Sequence, residues 1–470
     1  MEYYHLQEKN VQFESLLQAH GEQHPDVKKF RETKHGLENA TRQKYLNLVQ
    51  KRTSLFNSYV EVFKAVREVQ AQVLDKELIR WKRDQQLSGN GFAMSFSLEV
   101  LQEWCEGLAD IIWTMRQQVR QLEGLREKLG EGQTASNLYQ DLLSSITELL
   151  SNLVTGTFII EKQPPQVMKT NTRFTATVRL LVGGVLNVHM AAPAVTVSIV
   201  SESQANALLT SPSGVPKNKE DYSSGDILNG TGTMEHHATT KHVSVAFRNL
   251  QLKKIKRTEK KGTESVMDEK FSVLFWTEFL VGELKFQLWT LSLPVVVIVH
   301  GNQEPQALAT VTWDNAFAEW GRRPFVVPDK VTWAQAGGAL NMKWQAACGS
   351  PLTEDNLYFL ACKAFRNNNL PRKPEEHNNL LLTWSQFCKE TLPDRTFTFW
   401  EWFYRILLLT SNHMDGLWKE GFVMGFVTKQ AAEGLLLQKQ NGCFLLRFSD
   451  SELGGVTIAY VKGDMYRKCN

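Results

Sequence analysis

The sequence predicts a multidomain α+β protein: a long helical bundle, then a β-sandwich, a compact helical domain and a small α/β end. Three observations carry this expectation. At 470 residues the chain exceeds what one hydrophobic core covers, so three or four domains are expected. Residues 1–153 contain one proline, Pro25, and their apolar residues recur at steps of three and four. From Phe158 the period changes to β-branched alternation bounded by Gly, Asn, Ser and Pro, and helical character returns only around residue 326.

Tyr59, Val62, Val66, Val69 and Val73, with Phe63 alongside, line one face of a helix far longer than the globular average. Breaks at residues 21–25, 88–91 and 130–132 divide 1–153 into four antiparallel helices, a bundle or coiled-coil rod. Their outer faces are dense in Lys, Arg, Glu and Gln, which suits plain solvation or a binding face for protein partners. Residues 174–180 and 195–200 alternate as strands, and strands resume at 243–247, 271–275 and 293–299. With 211–240 expected as a loop rich in Ser, Gly, Asn and Thr, residues 154–322 form a β-sandwich. Residues 323–417 are helical and rich in tryptophan, and 397–403 open a helix apolar nearly all round, hence buried. An α-then-β pattern fills 418–470, with a helix at 428–437 and strands at 443–448 and 455–461.

Composition narrows the function. Net charge is only +3, so any nucleic-acid role must come from a local patch. Cys105, Cys348, Cys362, Cys388, Cys443 and Cys469 form no C-x-x-C pair and have no histidine at zinc-ligand spacing. Neither a disulfide framework nor a metal site is expected, and reduced thiols fit better. The longest apolar run, 291–299, is too short to span a bilayer, and the N-terminus lacks the apolar core of a signal peptide. An intracellular protein with no membrane association is expected. Without a phosphate-cradling glycine loop, a G-x-S-x-G elbow or metal-spaced His/Glu sets, no enzyme and no cofactor are expected.

Two segments carry chemistry. Residues 253–261 hold six basic side chains in nine positions, opposed by one acid. At the end of a sandwich such a loop can reach the phosphates of double-stranded DNA, although a solvated loop or an import signal has the same composition. The second is Gly442-Cys443-Phe444-Leu445-Leu446-Arg447-Phe448-Ser449-Asp450-Ser451, an arginine inside an apolar strand. A guanidinium there suits a bidentate grip on phosphate, with Ser449 and Ser451 following at alternate positions. A strand arginine with its head at the edge, or paired to a nearby acid, would show the same pattern.

The string FLLRFSDSELGGVTIA closely resembles the phosphotyrosine-binding strand of the SH2 domain in the signal transducers and activators of transcription, the STAT family. IRWKRDQQLSGNG, FIIEKQPPQVMKT, SLPVVVIVHGNQ, TWDNAFAE, WSQFCKE, FTFWEWF and LWKEGFVMGFVTKQ resemble the family's other signatures, in the family's order. LLVGGVLNVHM and LEVLQEWCEGLADIIW look closest to the prolactin- and growth-hormone-responsive type, with the interleukin-4-responsive type next.

The resemblance implies a four-helix coiled-coil domain over 1–153, an immunoglobulin-like DNA-binding domain over 154–322, a helical linker domain over 323–417 and the first half of an SH2 domain over 418–470. It makes Arg447 the phosphate ligand, with Ser449, Ser451 and Lys429 completing the pocket. Lys253, Lys256, Arg257, Lys260 and Lys261 match the family's DNA-contacting loop, and His300 and Gln303 a base-reaching turn. Lys389 and Glu390 match a linker pair associated with DNA residence, or are plain surface charge. Tyrosine phosphorylation by receptor-associated kinases, dimerisation through reciprocal phosphotyrosine exchange, palindromic sites and movement from cytoplasm to nucleus would follow. Two departures stand out: Met267-Asp268-Glu269 where Thr-Glu-Glu is usual, and Trp276 where an acid is more usual. The resemblance also places an N-terminal domain before this sequence, and the rest of the SH2 domain and a tail tyrosine after it. A chain lacking them is expected, as the alternative, to act as a non-dimerising or dominant-negative interaction module.

Overall fold

Proline-free runs let the first 156 residues coil freely, and in the computed structural model, which describes residues 2–128, 133–210, 223–257, 265–319, 321–462 and 465–468, they form five helices. These are α1 (Glu2–His20), α2 (Pro25–Gln72), α3 (Leu78–Ser88), α4 (Leu98–Lys128) and α5 (Gln133–Gly156). Pro25 occupies the first position of α2, where a missing N–H costs nothing. A π turn at Val73–Glu77 separates α2 from α3, a feature that spacing of apolar residues does not foretell. No helix among the described residues is long and apolar enough to cross a membrane.

The chain divides into two compact units, residues 1–71 with 108–152, and residues 72–107 with 153–470. In the first unit Ile112, Met115, Val119, Ile146 and Leu150 are fully or almost fully buried. Phe56 packs on Tyr139 at 4.5 Å between ring centroids, and the Gln70 amide donates to the Leu149 carbonyl at 3.0 Å.

The second unit begins its sandwich with β1 (Phe158–Lys162), β2 (Val167–Lys169), β3 (Arg173–Leu180) and β4 (Ala194–Ser201), followed by α6 (Glu202–Thr210). Within the stretch expected to be loop lie three short strands, β5 (Gly225–Leu228), β6 (Thr231–Thr233) and β7 (Glu235–His237). Polar residues form them because their neighbours β8 (His242–Ile255) and β4 offer ladder positions, a tertiary effect that composition does not reveal. Then come β9 (Lys270–Val281), β10 (Leu284–Leu291) and β11 (Val295–Ile298). One sheet runs β1-β3-β8-β5 with β7 on β8; the other runs β2-β11-β9-β4-β6 with β10 on β9. Phe247 and Phe275 bridge the two sheets at 5.8 Å between centroids. Trp276 stands directly across the ladder from Trp289, so this departure from the family pattern makes a cross-strand aromatic pair position.

Helices dominate again in α7 (Glu304–Phe317), β12 (Lys330–Thr332), α8 (Trp333–Cys348), α9 (Glu354–Ala364), α10 (Pro374–His377), β13 (Leu381–Thr383), α11 (Trp384–Cys388), α12 (Phe399–Leu409) and α13 (Asp415–Lys419). Threonines at 332, 353, 383 and 398 accept an N–H of the first turn and start α8, α9, α11 and α12. The last elements are β14 (Val423–Gly425), α14 (Lys429–Leu436), β15 (Phe444–Phe448), β16 (Val456–Lys462) and β17 (Met465–Lys468), joined in the order β14-β15-β16-β17. One apolar cluster carries Trp313, Trp333, Trp344, Trp400 and Trp402 together with Phe426 and Phe448. The helical segment and the small terminal sheet therefore share a core.

Candidate phosphate pocket and nucleic-acid interface

Strand β15 runs between β14, to which it is parallel, and β16, to which it is antiparallel. Alternation turns Leu445 and Arg447 to one side, and Arg447 is only 7% exposed. Its Nη1 donates to the Asp450 carboxylate at 3.2 Å and to the Phe448 and Val427 carbonyls at 3.4 and 3.5 Å. The last two are long, so its anionic partner among the described residues is a carboxylate three residues on, itself a third exposed. Ser449 is buried, and its Oγ accepts the Ser451 and Glu452 N–H groups at 3.3 Å while lying 3.4 Å from the Ser451 hydroxyl. Backbone amides and a hydroxyl thus gather around Ser449 Oγ just past the end of β15. Lys429, first residue of α14, is exposed and lies 3.6 Å from Glu433. The four residues expected at a phosphate site sit on one strand end and the start of the neighbouring helix. Lys363 also reaches Asp450, at 3.4 Å, and sequence spacing could not have found it, because 87 positions separate the pair.

The second site lies at the sandwich end where β8 and β11 terminate. Lys253, Lys254 and Lys256 are exposed on and just past β8. Arg257 points elsewhere: its guanidinium donates to Glu269 at 2.8 Å and to the Val297 carbonyl at 2.6 Å. That clasp ties the end of β8 to β11, three residues before His300, and so brings the two expected contact segments together. His300 is exposed, whereas the Gln303 side-chain oxygen accepts the Val299 and His300 N–H groups at 2.8 and 3.1 Å and shapes the turn. Lys260 and Lys261 lie outside the described residues. One further cation was missed by sequence reasoning: Lys169 is exposed on β2 opposite Ile298, and the turn after it is tied to β8 by the Asn171 N–H, which donates to Leu252 at 2.8 Å.

Lys389 and Glu390 are both engaged within the protein. Lys389 Nζ meets both Asp268 oxygens at 2.5 Å, and Glu390 meets Arg366 at 2.6 Å. Asp268 and Glu269, consecutive just before β9, pair with Lys389 and with Arg257. This accounts for the unusual Met267-Asp268-Glu269: Asp268 and Glu269 are the two anchors, and Met267 packs against the cluster of Val296, Ile298, Ala307 and Val311.

The chain is similar to known proteins along most of its length. Residues 1–150 match the description "STAT transcription factor, coiled-coil domain" and 162–298 match "STAT protein, DNA binding domain". Residues 320–403 match "Signal transducer and activator of transcription, linker domain" and 422–470 match "SH2 domain". A Drosophila melanogaster protein, "Signal transducer and transcription activator", is 46% identical over 421 residues, which are 89% of this chain and 53% of that protein. The chain spans about half the length of the curated relative it matches.

Proposed function

The chain belongs to the signal transducer and activator of transcription family, and from that premise we propose that it is a sequence-specific DNA-binding transcription factor of cytokine and growth-factor signalling. Arg447 takes the phosphate of a phosphotyrosine, with Ser449, Ser451 and Lys429 around it. Lys253, Lys256, Lys260 and Lys261 neutralise DNA phosphates; His300 faces the bases from the turn that Gln303 shapes; Arg257, Lys389 and Glu390 hold the contact loop in place. Phosphotyrosine exchange between two chains makes a two-fold dimer, and such a dimer demands palindromic half-sites. Phosphotyrosine peptides of receptors compete for the same pocket, co-regulators bind the helical bundle, and activation moves the protein from cytoplasm to nucleus. The strings around Gly183-Gly184 and Trp104 favour the prolactin- and growth-hormone-responsive type. Family matches over both the DNA-binding and phosphate-binding segments favour this reading over a bare interaction module.

The observation that carries it is Arg447, a nearly buried guanidinium in an apolar strand whose carboxylate partner is partly exposed and exchangeable. Titration of a phosphotyrosyl peptide should show Arg447→Ala binding weaker by roughly 10- to 100-fold, the value of a charge-assisted hydrogen-bond pair. Equal affinity for the two proteins would remove the pocket assignment.

A further inference from the structure

Asp450 serves two cations. Arg447 Nη1 donates to its Oδ2 at 3.2 Å, while Lys363 Nζ, in the last turn of α9, lies 3.4 Å from Oδ1 and donates to the Asp450 carbonyl at 3.0 Å. Lys363 also sits 4.7 Å above the Trp402 ring, and the Trp402 indole donates to the Ser449 carbonyl at 2.9 Å. Side chains of α9 and α12 thus grip the backbone of the phosphate loop at two consecutive residues. The Lys363 ammonium is largely buried, and burial holds its pKa below the usual lysine range, with Asp450 acting in the opposite sense. Moving it away would leave Asp450 with Arg447 alone.

A phosphate dianion arriving at Arg447 must replace the Asp450 carboxylate. Two anions then stand side by side unless another cation takes up the displaced charge. We propose that Lys363 is a positioning residue of the phosphate pocket, holding Asp450 as a displaceable counter-ion and taking over its carboxylate when phosphate binds Arg447. The proposal rests on the phosphate reading of Arg447 and deepens it: the helical linker segment sets phosphate affinity through one lysine. Without Lys363 the carboxylate closes on Arg447 and competes with the ligand.

The test is titration of the full chain with N-acetyl-phosphotyrosine, with tryptophan fluorescence as the check on fold. Lys363→Met is expected to weaken binding about tenfold, an uncompensated neighbouring charge, and Lys363→Arg to keep most of the affinity. Asp450→Asn alone should bind at least as well as the parent, and Asp450→Asn added to Lys363→Met should recover most of the loss, a coupling that a merely structural lysine would not show. If Lys363→Met binds like the parent, or if the double variant is no better than Lys363→Met, the counter-ion role is wrong. Weaker binding by Asp450→Asn would also overturn it, because Asp450 would then be aiding the ligand. Arg447→Ala separates the two claims: a parent that binds no better than Arg447→Ala refutes the pocket and this role together. A parent that does, beside an unaffected Lys363→Met, refutes the role alone.

Discussion

Trp344 is fully buried, and its ring meets those of Phe403, Trp418, Phe426 and Phe448 at 5.0 to 5.9 Å between centroids. Phe448 ends the strand that holds Arg447 and Phe426 follows the strand paired with it, so the phosphate strand packs on this indole. Its Nε1 has no hydrogen-bond partner among the described residues, and its contribution is therefore almost wholly packing. Trp344→Ala should lose about 3–5 kcal/mol in denaturant unfolding, the usual cost of deleting a buried large aromatic. Trp344→Phe should lose clearly less, since no donor is forfeited; equal losses would mean that the indole N–H matters after all. At this scale Arg447 was legible in sequence because a charge inside FLLRF breaks its own surroundings. Lys363 was not, because a lysine on a helix carries no mark of the carboxylate it will meet through the fold.

Among elements, α7 is the junction. Arg83 donates to the Asn315, Ala316 and Ala318 carbonyls at 2.8 to 3.3 Å, Gln86 to Asn315 at 3.0 Å, and Asn90 to Thr312 at 2.8 Å. The Asn315 and Ala316 carbonyls lie in the last turn of α7, where a helix C-terminus leaves them without intrahelical partners. The string RWKRDQQLSGNG is thus a cap for another helix, and its glycines are spatial requirements: a Cβ on Gly89 would stand 2.3 Å from the Asn315 amide, and one on Gly91 2.2 Å from Ala346. Sequence placed the break correctly and could not say what filled it. Asp314 completes the junction. It is 1% exposed and pairs with Lys270 of β9 at 3.0 Å and Arg322 at 2.6 Å. Asp314→Ala leaves two largely buried cations facing each other and should cost about 3–5 kcal/mol in thermal or denaturant unfolding. A loss near that of an exposed ion pair would show that water or the Phe325 and Val326 carbonyls already satisfy Lys270 and Arg322. Strands β5, β6 and β7 mark the opposite limit of legibility: SSGDILNGTGTMEHHATT has loop composition and pairs only because β4 and β8 offer their edges.

For the whole molecule, a net charge of +3 spread over 470 residues cannot hold a polyanion, so DNA affinity must come from where the charge is gathered. The fold gathers it: β2 and the end of β8 are both tied to β11, the strand that leads to His300, and they carry the exposed Lys169, Lys253, Lys254 and Lys256. Of these, sequence supplied the run at 253–261, while Lys169 enters only through the parallel pairing of β2 with β11. Each lysine that sits on a phosphate releases about one counterion on binding. Changing Lys253 and Lys256 to alanine together should therefore lower the slope of log affinity against log salt by about 2 and weaken binding similarly on every DNA sequence. His300→Ala should behave differently, leaving the slope nearly unchanged and relaxing the preference between sites, since base contacts specify and phosphate contacts position. Mobility shift on matched and scrambled duplexes at several salt concentrations separates the two. An unchanged slope in the double lysine variant would move the interface away from this end of the sandwich. A changed slope with unaltered site preference in His300→Ala would place the histidine on the backbone instead of the bases.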